Sequence, residues 1–485
     1  MNNDVNIFLL TPEISLAGLA LAVILLDLFT ERKGLVAALA FAGLAAPTIF
    51  SLLLLDRRGE IGFYDALVVD DFALFFKFLT IGVAALVILG AQEHVNKFKR
   101  FQGEFYALIL LSSAGMMLLA ATADLIAIYI SLELTSLSLA GLITFLRTGR
   151  SAEAGIKFLV LSAISSAFML YGMALIFGLT GTTKLDGIAL QLPDQRLFEN
   201  PAMLLGVLFM IAGFGFKISS VPFQMWVPDV YQGGPLPVIA FLSVASKAAG
   251  FAVLIRVFYM AFANLDIDWQ PLFAVLAVLS MFIGNLVAIT QNNIKRMLGY
   301  SSIAHAGYIL IGVAAITGVN VDGVPFGPSS ALFYLATYAI TNLAAFFAVS
   351  AVSAKINSDN IEDYSGLAQR NPILALSLAI ALVSLTGIPP TAVFWAKLYI
   401  FNAAVQSGLT WLAIIGVVNS VISAYFYLRV IKNMYVRPAT DTSKFMPGVP
   451  LGLAITVATV AVLVFGFWPT YLLKAANDAV AGMIF

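Results

Sequence analysis

Long apolar runs separated by short polar segments cover almost the whole chain. A bilayer core about 30 Å thick needs about 20 apolar residues per helix. Runs bounded by charge, Pro or Gly lie at about 8–29, 35–55, 72–92, 104–121, 124–146, 156–180, 201–219, 236–260, 270–290, 297–318, 329–352, 371–407, 409–433 and 449–472. The pattern predicts an all-α polytopic membrane protein with about 14 transmembrane helices.

Two of the predicted helices are interrupted by proline. Pro222 follows the run 201–219, and Pro389-Pro390 divides the run 371–407, which is too long for one straight helix. Each proline removes a backbone donor and leaves amide groups in need of a partner. Interrupted helices at matching positions, here five spans apart, are typical of inverted-repeat transporters whose path lies at the breaks. The alternative for each proline is a packing kink.

The amino-acid composition limits which cofactors and metals this chain could hold. Apolar residues make up 61% of the 485 residues and charged residues 11%, with no cysteine and two histidines. This excludes disulfides and thiolate-bound clusters, and no nucleotide-binding glycine motif is present. We therefore expect no cofactor or metal on this chain, and redox chemistry only on another polypeptide. Glu13 and Asp27 in the first run, with no basic segment before it, predict a retained span and no cleaved signal.

Basic residues divide unequally when the loops are assigned alternately to two sides. One side receives 14 of them: Arg32, Lys33, Lys97, Lys99, Arg100, Arg147, Arg150, Lys295, Arg296, Lys355, Arg370, Lys432, Arg437 and Lys444. The other side receives five: Arg57, Arg58, Lys184, Arg196 and Lys474. Cytoplasmic loops carry the excess of Lys and Arg. We expect the basic side to be cytoplasmic and both termini to be periplasmic.

Four charged residues lie deep inside the apolar runs. Glu133 and Lys247 are about 14 and 15 Å into their predicted helices at 1.5 Å per residue, while Lys217 and Lys397 lie beside the two breaks. An intramembrane charge costs at least about 2.5–3.5 kcal/mol unless it is paired or hydrated. A lysine can release its proton, whereas arginine cannot. These residues predict a proton path, and the alternative is that they only hold helices together.

His305 also lies inside an apolar run, and it is suited to passing protons between Lys247 and Lys397. The alternative is that His305 is a structural core residue whose nitrogens are hydrogen-bonded to their neighbours. Lys295 is explained as a cytoplasmic anchor or as a residue that feeds the path. Four other cations lie near predicted helix ends, where their side chains can reach the interface: Lys77, Lys157, Arg256 and Arg429. The aromatic residues are interpreted as interfacial anchors and core packing.

Several long strings resemble the antiporter-like membrane subunits of respiratory complex I. They are 216–235 (FKISSVPFQMWVPDVYQGGP), 241–247 (FLSVASK), 293–308 (NIKRMLGYSSIAHAGY), 362–372 (EDYSGLAQRNP) and 385–397 (LTGIPPTAVFWAK). The short C-terminus and Lys397 in the last broken helix resemble the subunit N branch of this family and not the L or M branches. The resemblance implies 14 helices arranged as helices 1–3 (1–103), two inverted five-helix repeats (104–260 and 261–435) and helix 14 (436–485).

The resemblance also implies roles for individual residues. The family's ion pair falls on Glu133 and Lys217, its bridging lysine on Lys247, its relay histidine on His305, its exit lysine on Lys397, and two secondary positions on Lys157 and Lys295. The implied location is the bacterial inner membrane. The implied partners are the bilayer and other membrane subunits of the complex, with NADH and quinone handled by partner subunits and with no nucleic acid.

Three functions remain open from the sequence. The first is a proton-translocating subunit of NADH-quinone oxidoreductase, driven by redox chemistry in its partners. The second is a subunit of a Mrp-type cation/proton antiporter or another relative of complex I. The third is a membrane scaffold that has lost transport, and the intact set of buried charges counts against it.

Overall fold

The computed structural model describes residues 5–96, 101–192, 200–319, 323–439 and 443–483, and it is almost entirely helical. A 3-10 turn (Ile7–Leu10) leads into α1, and a small antiparallel hairpin, β1 (Ile61–Gly62) and β2 (Leu67–Val68), precedes α4. The helices of this N-terminal unit are α1 (Thr11–Phe29), α2 (Lys33–Ala42), α3 (Ala45–Leu53) and α4 (Asp71–Val95). Together α2 and α3 make one span, Lys33–Arg57.

The next two groups of helices make up most of the protein. The first half contains α5 (Gln102–Ala121), α6 (Leu125–Ile143), α7 (Gly149–Thr180), α8 (Leu185–Gln191), α9 (Pro201–Ile218), α10 (Val227–Gly233), α11 (Leu236–Phe241) and α12 (Lys247–Met260). The second half contains α13 (Asp266–Thr290), α14 (Ile294–Ala314), α15 (Phe326–Ile356), α16 (Leu367–Arg370), α17 (Pro372–Thr386), α18 (Ala392–Gln406) and α19 (Thr410–Tyr435). Two helices follow, α20 (Val449–Phe467) and α21 (Thr470–Ala481).

The predicted number of spans agrees with the structure. Among the described residues, 13 helices are long and apolar enough to cross a membrane. The pair α17 and α18, divided by the predicted break, supplies one more span. The prediction of an all-α polytopic fold with about 14 helices and broken helices is confirmed. The inverted relation of the two halves and the boundaries 1–103, 104–260, 261–435 and 436–485 stay predictions.

Short backbone bridges join loops that alternation puts on the same side. Leu67 pairs with Thr122, and Asp124 pairs with Lys184, so three predicted outer loops meet. Asn293 pairs with Asn360 at the opposite end of the bundle. These pairings agree with the alternating loop assignment. Of the residues used in that assignment, Lys97, Lys99, Arg100 and Arg196 lie outside the described residues.

Three departures from regular helix lie in the interior. The helix α9 ends where Ser219 adopts φ 64°, and α17 ends where Gly387 adopts φ 88°. Both breaks were expected. A π-helical turn (Leu242–Ser246) divides α11 from α12 immediately before Lys247, and no sequence pattern predicted it. Such turns are rare and occur frequently at functional sites. The span Leu236–Met260 is fully buried and forms the centre of the bundle together with α14 and α15.

Candidate functional site

Lys247 lies near the middle of the buried span Leu236–Met260, directly after the π turn. Its Nζ donates to the carbonyl oxygen of Ser302 at 2.5 Å and to the Ser302 hydroxyl at 2.6 Å. The hydroxyl of Tyr231 donates to the same serine oxygen at 3.2 Å. Both bonds of this ammonium group are to neutral oxygens of α14, one turn before His305.

Glu133 and Lys217 occupy neighbouring positions but do not bond each other directly. The Ser166 hydroxyl donates to Glu133, and Lys217 Nζ donates to Ser136 Oγ at 2.5 Å. Ser136 is one turn after Glu133 on α6, so the lysine contacts the face that carries the carboxylate. The expected pair is therefore held close, with serine hydroxyls as the immediate partners. Lys217 is buried, whereas Glu133 is partly exposed on the surface of the chain.

His305 lies in the middle of α14, surrounded by four tyrosines. Its Nδ1 hydrogen-bonds the Tyr334 hydroxyl at 2.8 Å, and its Nε2 hydrogen-bonds the Tyr427 hydroxyl at 3.3 Å. The rings of Tyr338 and Tyr308 lie 4.9 Å and 5.7 Å from the imidazole. Hydroxyls both donate and accept, so a neutral imidazole in this setting can take a proton at one nitrogen and release one at the other.

Lys397 lies on α18, beside the second break. Its Nζ donates to the carbonyl oxygen of Thr386 at 2.9 Å and to that of Leu385 at 3.2 Å. Both carbonyls are at the C-terminus of α17, where a helix leaves its last carbonyls without helical partners. The ammonium group also lies 4.6 Å from the centre of the Tyr308 ring, which connects it to the His305 cluster.

Contacts connect these positions through an otherwise apolar core. A Cβ at Gly250, one turn after Lys247 on α12, would lie 3.2 Å from the Lys217 Cβ, so the two lysines approach across α12. Ser302 is next to Ser301, which hydrogen-bonds Tyr427. Lys247 therefore bonds Ser302, and His305 reaches the adjacent Ser301 through the Tyr427 hydroxyl. Lys217 thus packs against α12, and Lys247 and Lys397 lie beside His305 of α14. We call Glu133, Lys217, Lys247, His305 and Lys397 the row, and their action as one path stays a prediction.

The two secondary positions lie at one end of the bundle, away from this row. Lys157 forms an ion pair with Asp229 at 2.7 Å, and Arg296 bonds the other oxygen of that carboxylate at 2.9 Å. Lys295 forms an ion pair with Asp359 at 2.7 Å. Lys295 is ten residues before His305, or about 15 Å along the helix. Both lysines therefore anchor the loops on the predicted cytoplasmic side, and a role in proton transfer stays a prediction.

Two cations that were expected to reach the interface are instead fully buried, so that prediction was wrong. Lys77 forms an ion pair with Glu13, and Arg256 forms a bidentate pair with Asp70 at 2.8 and 2.9 Å. Their partners are 64 and 186 residues away in the sequence. Arg429 donates to the backbone carbonyls of Ile289 and Gln291. Because a buried carboxylate or carbonyl oxygen pairs with each of these cations, the side chain does not have to extend to water.

The neutral members of the row were not identified from the sequence. Tyrosines had been attributed to interfacial anchoring and packing, yet Tyr308, Tyr334, Tyr338 and Tyr427 line the centre. A partial signal exists, because Tyr334 and Tyr338 are four residues apart and therefore share a helix face. The serines that bond Glu133 and the lysines carry no such signal. Among the described residues no group of three or more His, Cys, Asp or Glu is arranged to hold a metal.

Comparison with known proteins agrees with this architecture. The family model described as "NADH:quinone oxidoreductase/Mrp antiporter, TM" matches residues 122–423. The "NADH-quinone oxidoreductase subunit N" of Dehalococcoides mccartyi is 45% identical over 97% of this chain and 98% of its own length. A chain of respiratory complex I from Thermus thermophilus is 33% identical, with a TM-score of 0.79 over 96% of this chain and 99% of that one.

A chain of the Mrp complex from Dietzia sp. has a TM-score of 0.84 but only 21% identity, which shows a common fold alone. The relative from Dehalococcoides mccartyi matches in length as well as in sequence. The chain therefore belongs to the antiporter-like membrane subunits of NADH-quinone oxidoreductase, in the subunit N family.

Proposed function

We propose that this chain translocates protons across the bacterial inner membrane as a subunit of NADH-quinone oxidoreductase. Protons move laterally along Glu133, Lys217, Lys247, His305 and Lys397, driven by redox chemistry in partner subunits. The observation that carries the proposal is the group of serine and tyrosine hydroxyls around Lys247 and His305, with Lys397 against the Tyr308 ring, inside an apolar core. In this proposal the chain itself holds no cofactor, and both termini face the periplasm.

The chemistry of the row supports proton transfer over a purely structural role. Buried structural charges are usually paired with opposite charges, as Arg256 is with Asp70. The hydrogen bonds of Lys217, Lys247 and Lys397 are instead to neutral oxygens. A neutral oxygen accepts a hydrogen bond from either the ammonium or the amine form. Lys247 and Lys397 can therefore lose a proton without leaving a bonded carboxylate unpaired.

The proposal is tested with Lys217→Ala and Lys247→Arg in the assembled complex. Lys247→Arg keeps the charge but removes the ability to release a proton. We expect both variants to assemble, while quinone-reductase turnover and proton pumping per assembled complex fall at least about 100-fold, the lower end of what a positioned acid–base group contributes. Lys355→Ala, at an exposed position, is the control. Wild-type pumping by both variants would contradict the proposal.

The same vesicles address the antiporter alternative. In the proposed function, pumping requires electron transfer and does not require a gradient of Na+ or K+. A Mrp-type exchanger would acidify or alkalinise the vesicles when a cation gradient alone is imposed. Exchange that is driven by cations in the absence of an electron donor would favour that alternative.

A further inference from the structure

The second helix break contacts α20, a helix outside the two predicted repeats and outside the segment that matches the family model. Trp395 Nε1 donates to the carbonyl oxygen of Gly466 at 2.7 Å. A Cβ at Gly466 would collide with the Pro390 carbonyl oxygen and lie 2.9 Å from the Thr391 Cα. The backbones of α20 and of the break therefore touch, and the glycine makes this approach possible.

The geometry of the same break sets the position of Lys397. The Nζ group bonds the last carbonyls of α17, and a Cβ at Gly387 would lie 2.8 Å from Lys397 Cδ. The backbone N–H of Val393 donates to Ser384 Oγ at 3.4 Å, which joins the two half-helices across the break. A small displacement of α18 relative to α17 would move the ammonium group away from both the carbonyls and the Tyr308 ring.

We infer that Trp395 and Gly466 are positioning residues for Lys397, and that α20 holds the second broken helix in the geometry that proton transfer needs. Trp395 is two residues before Lys397, within the same helical turn. The hydrogen bond of its indole therefore restrains the backbone that carries Lys397. The inference rests on the proposed function of Lys397. It adds a role for α20, which carries no titratable member of the row.

The first experiment measures turnover per assembled complex as a function of pH for Trp395→Phe and Gly466→Ala. The matched controls are Trp468→Phe, at an exposed tryptophan directly after the end of α20, and Gly452→Ala, whose Cβ would meet only Pro447 Cγ at 3.7 Å. We expect about a tenfold loss, less than the cost of about 100-fold for a reacting group misplaced by about 1 Å, together with a displaced pH profile. A merely structural role would lower the amount of assembled complex and leave the profile of the remainder unchanged.

The second experiment measures position without relying on activity. The chain has no cysteine, so Lys397→Cys introduces its only thiol. An apolar cavity of about 420 Å³ beside the break is lined by Gly387, Phe394 and Lys397 and gives a small maleimide access to this position. We expect Gly466→Ala, added to Lys397→Cys, to change the alkylation rate at least about threefold, a modest effect beside the cost of about 100-fold for a misplacement of about 1 Å. Gly452→Ala should leave the rate unchanged.

The two results separate this inference from the proposed function. An unchanged pH profile together with an unchanged alkylation rate would overturn the role of α20. Wild-type turnover in Lys397→Ala would overturn the proposed function, while a changed alkylation rate would still establish that α20 positions residue 397. If Gly466→Ala does not assemble, the pH profile and the alkylation rate are both measured with Trp395→Phe. This substitution removes the indole N–H donor and only part of the side-chain volume.

Discussion

At the scale of residues, the structure separates two kinds of buried charge. Lys77 and Arg256 are paired with carboxylates, and such pairs hold helices together at fixed distances. Lys247 and Lys397 instead bond hydroxyl and carbonyl oxygens. Because the energy of a neutral partner changes little when a lysine is deprotonated, this second kind is suited to changing its charge.

Tyr427 is the neutral residue on which the row depends most, since its hydroxyl bonds both Ser301 and His305. We expect Tyr427→Phe to lower proton pumping severalfold while assembly is retained, because only one oxygen is removed. Proton uptake by vesicles containing the purified complex measures this. Tyr425→Phe, two residues earlier and 61% exposed, should behave as wild type. Equal rates in the two variants would show that the hydroxyl of Tyr427 is not needed.

At the scale of elements, irregular backbone lies next to each lysine of the row. Lys217 is the penultimate residue of α9, Lys247 follows the π turn, and Lys397 bonds the C-terminal carbonyls of α17. Irregular backbone inside a membrane is tolerated where it is buried in protein or lines a cavity. The free carbonyl groups then serve as hydrogen-bond acceptors for a lysine that has left water.

Gly387 allows a test of this arrangement, with Gly408 as a matched control. Both adopt positive φ, at 88° and 75°, but a Cβ at Gly387 would meet Lys397 at 2.8 Å, whereas a Cβ at Gly408 would meet nothing within 4 Å. Alanine costs about 1–2 kcal/mol of backbone strain at either position. We expect only Gly387→Ala to abolish most of the pumping per assembled complex. A similar loss from Gly408→Ala would attribute the effect to strain alone.

At the scale of the whole molecule, polar contacts connect parts of the bundle that are distant in sequence. The Asp70–Arg256 pair joins the N-terminal unit to α12, the helix that carries Lys247, and Arg256 also donates to the Ala120 carbonyl at 3.0 Å. At the opposite end, Arg296 of α14 bonds Asp229 of α10 and so connects the two halves. These contacts fix the helices that bear the row relative to one another.

The Asp70–Arg256 pair gives a prediction about stability. We expect Arg256→Met to lower the free energy of unfolding by about 3–5 kcal/mol, because Asp70 would remain as an uncompensated buried charge. The double variant Asp70→Leu/Arg256→Met should recover most of that loss. Thermal denaturation in detergent measures both. Arg57→Ala, which removes an exposed pair with Glu60, should cost at most about 1 kcal/mol. No recovery in the double variant would show that Arg256 stabilises through its other contacts.

Sidedness is a prediction for the chain as a whole. The unequal distribution of 14 and five basic residues predicts that single cysteines at Lys99, Lys355 and Lys432 are labelled only from the cytoplasm. Cysteines at Asn6 and Gly482 should be labelled only from the periplasm. An impermeant maleimide applied to intact cells and to inverted vesicles distinguishes the two sides. Labelling of positions 6 and 482 from opposite sides would mean an odd number of spans.

The sequence by itself determined the membrane class, the number of spans, the two breaks and the four charges deep inside the apolar runs, Glu133, Lys217, Lys247 and Lys397. Each of these features can be read along the chain without knowledge of its packing. The length of an apolar run indicates a span, and a proline within it indicates a break. A charge such as Lys247 inside an apolar run requires a polar partner or water. The expectation that Arg256 reaches the interface failed because depth along a helix says nothing about a partner that is 186 residues away.

Only the tertiary structure decided which groups touch. Ser302 accepts a hydrogen bond from Lys247, and tyrosines from three helices surround His305. The π turn at Leu242–Ser246 is likewise visible only in the structure. A serine or tyrosine in an apolar span is compatible with packing and with hydrogen bonding alike, so its role depends on the neighbour. The packing of the helices determines which side chains become neighbours, and this packing cannot be read from the hydropathy of a single span.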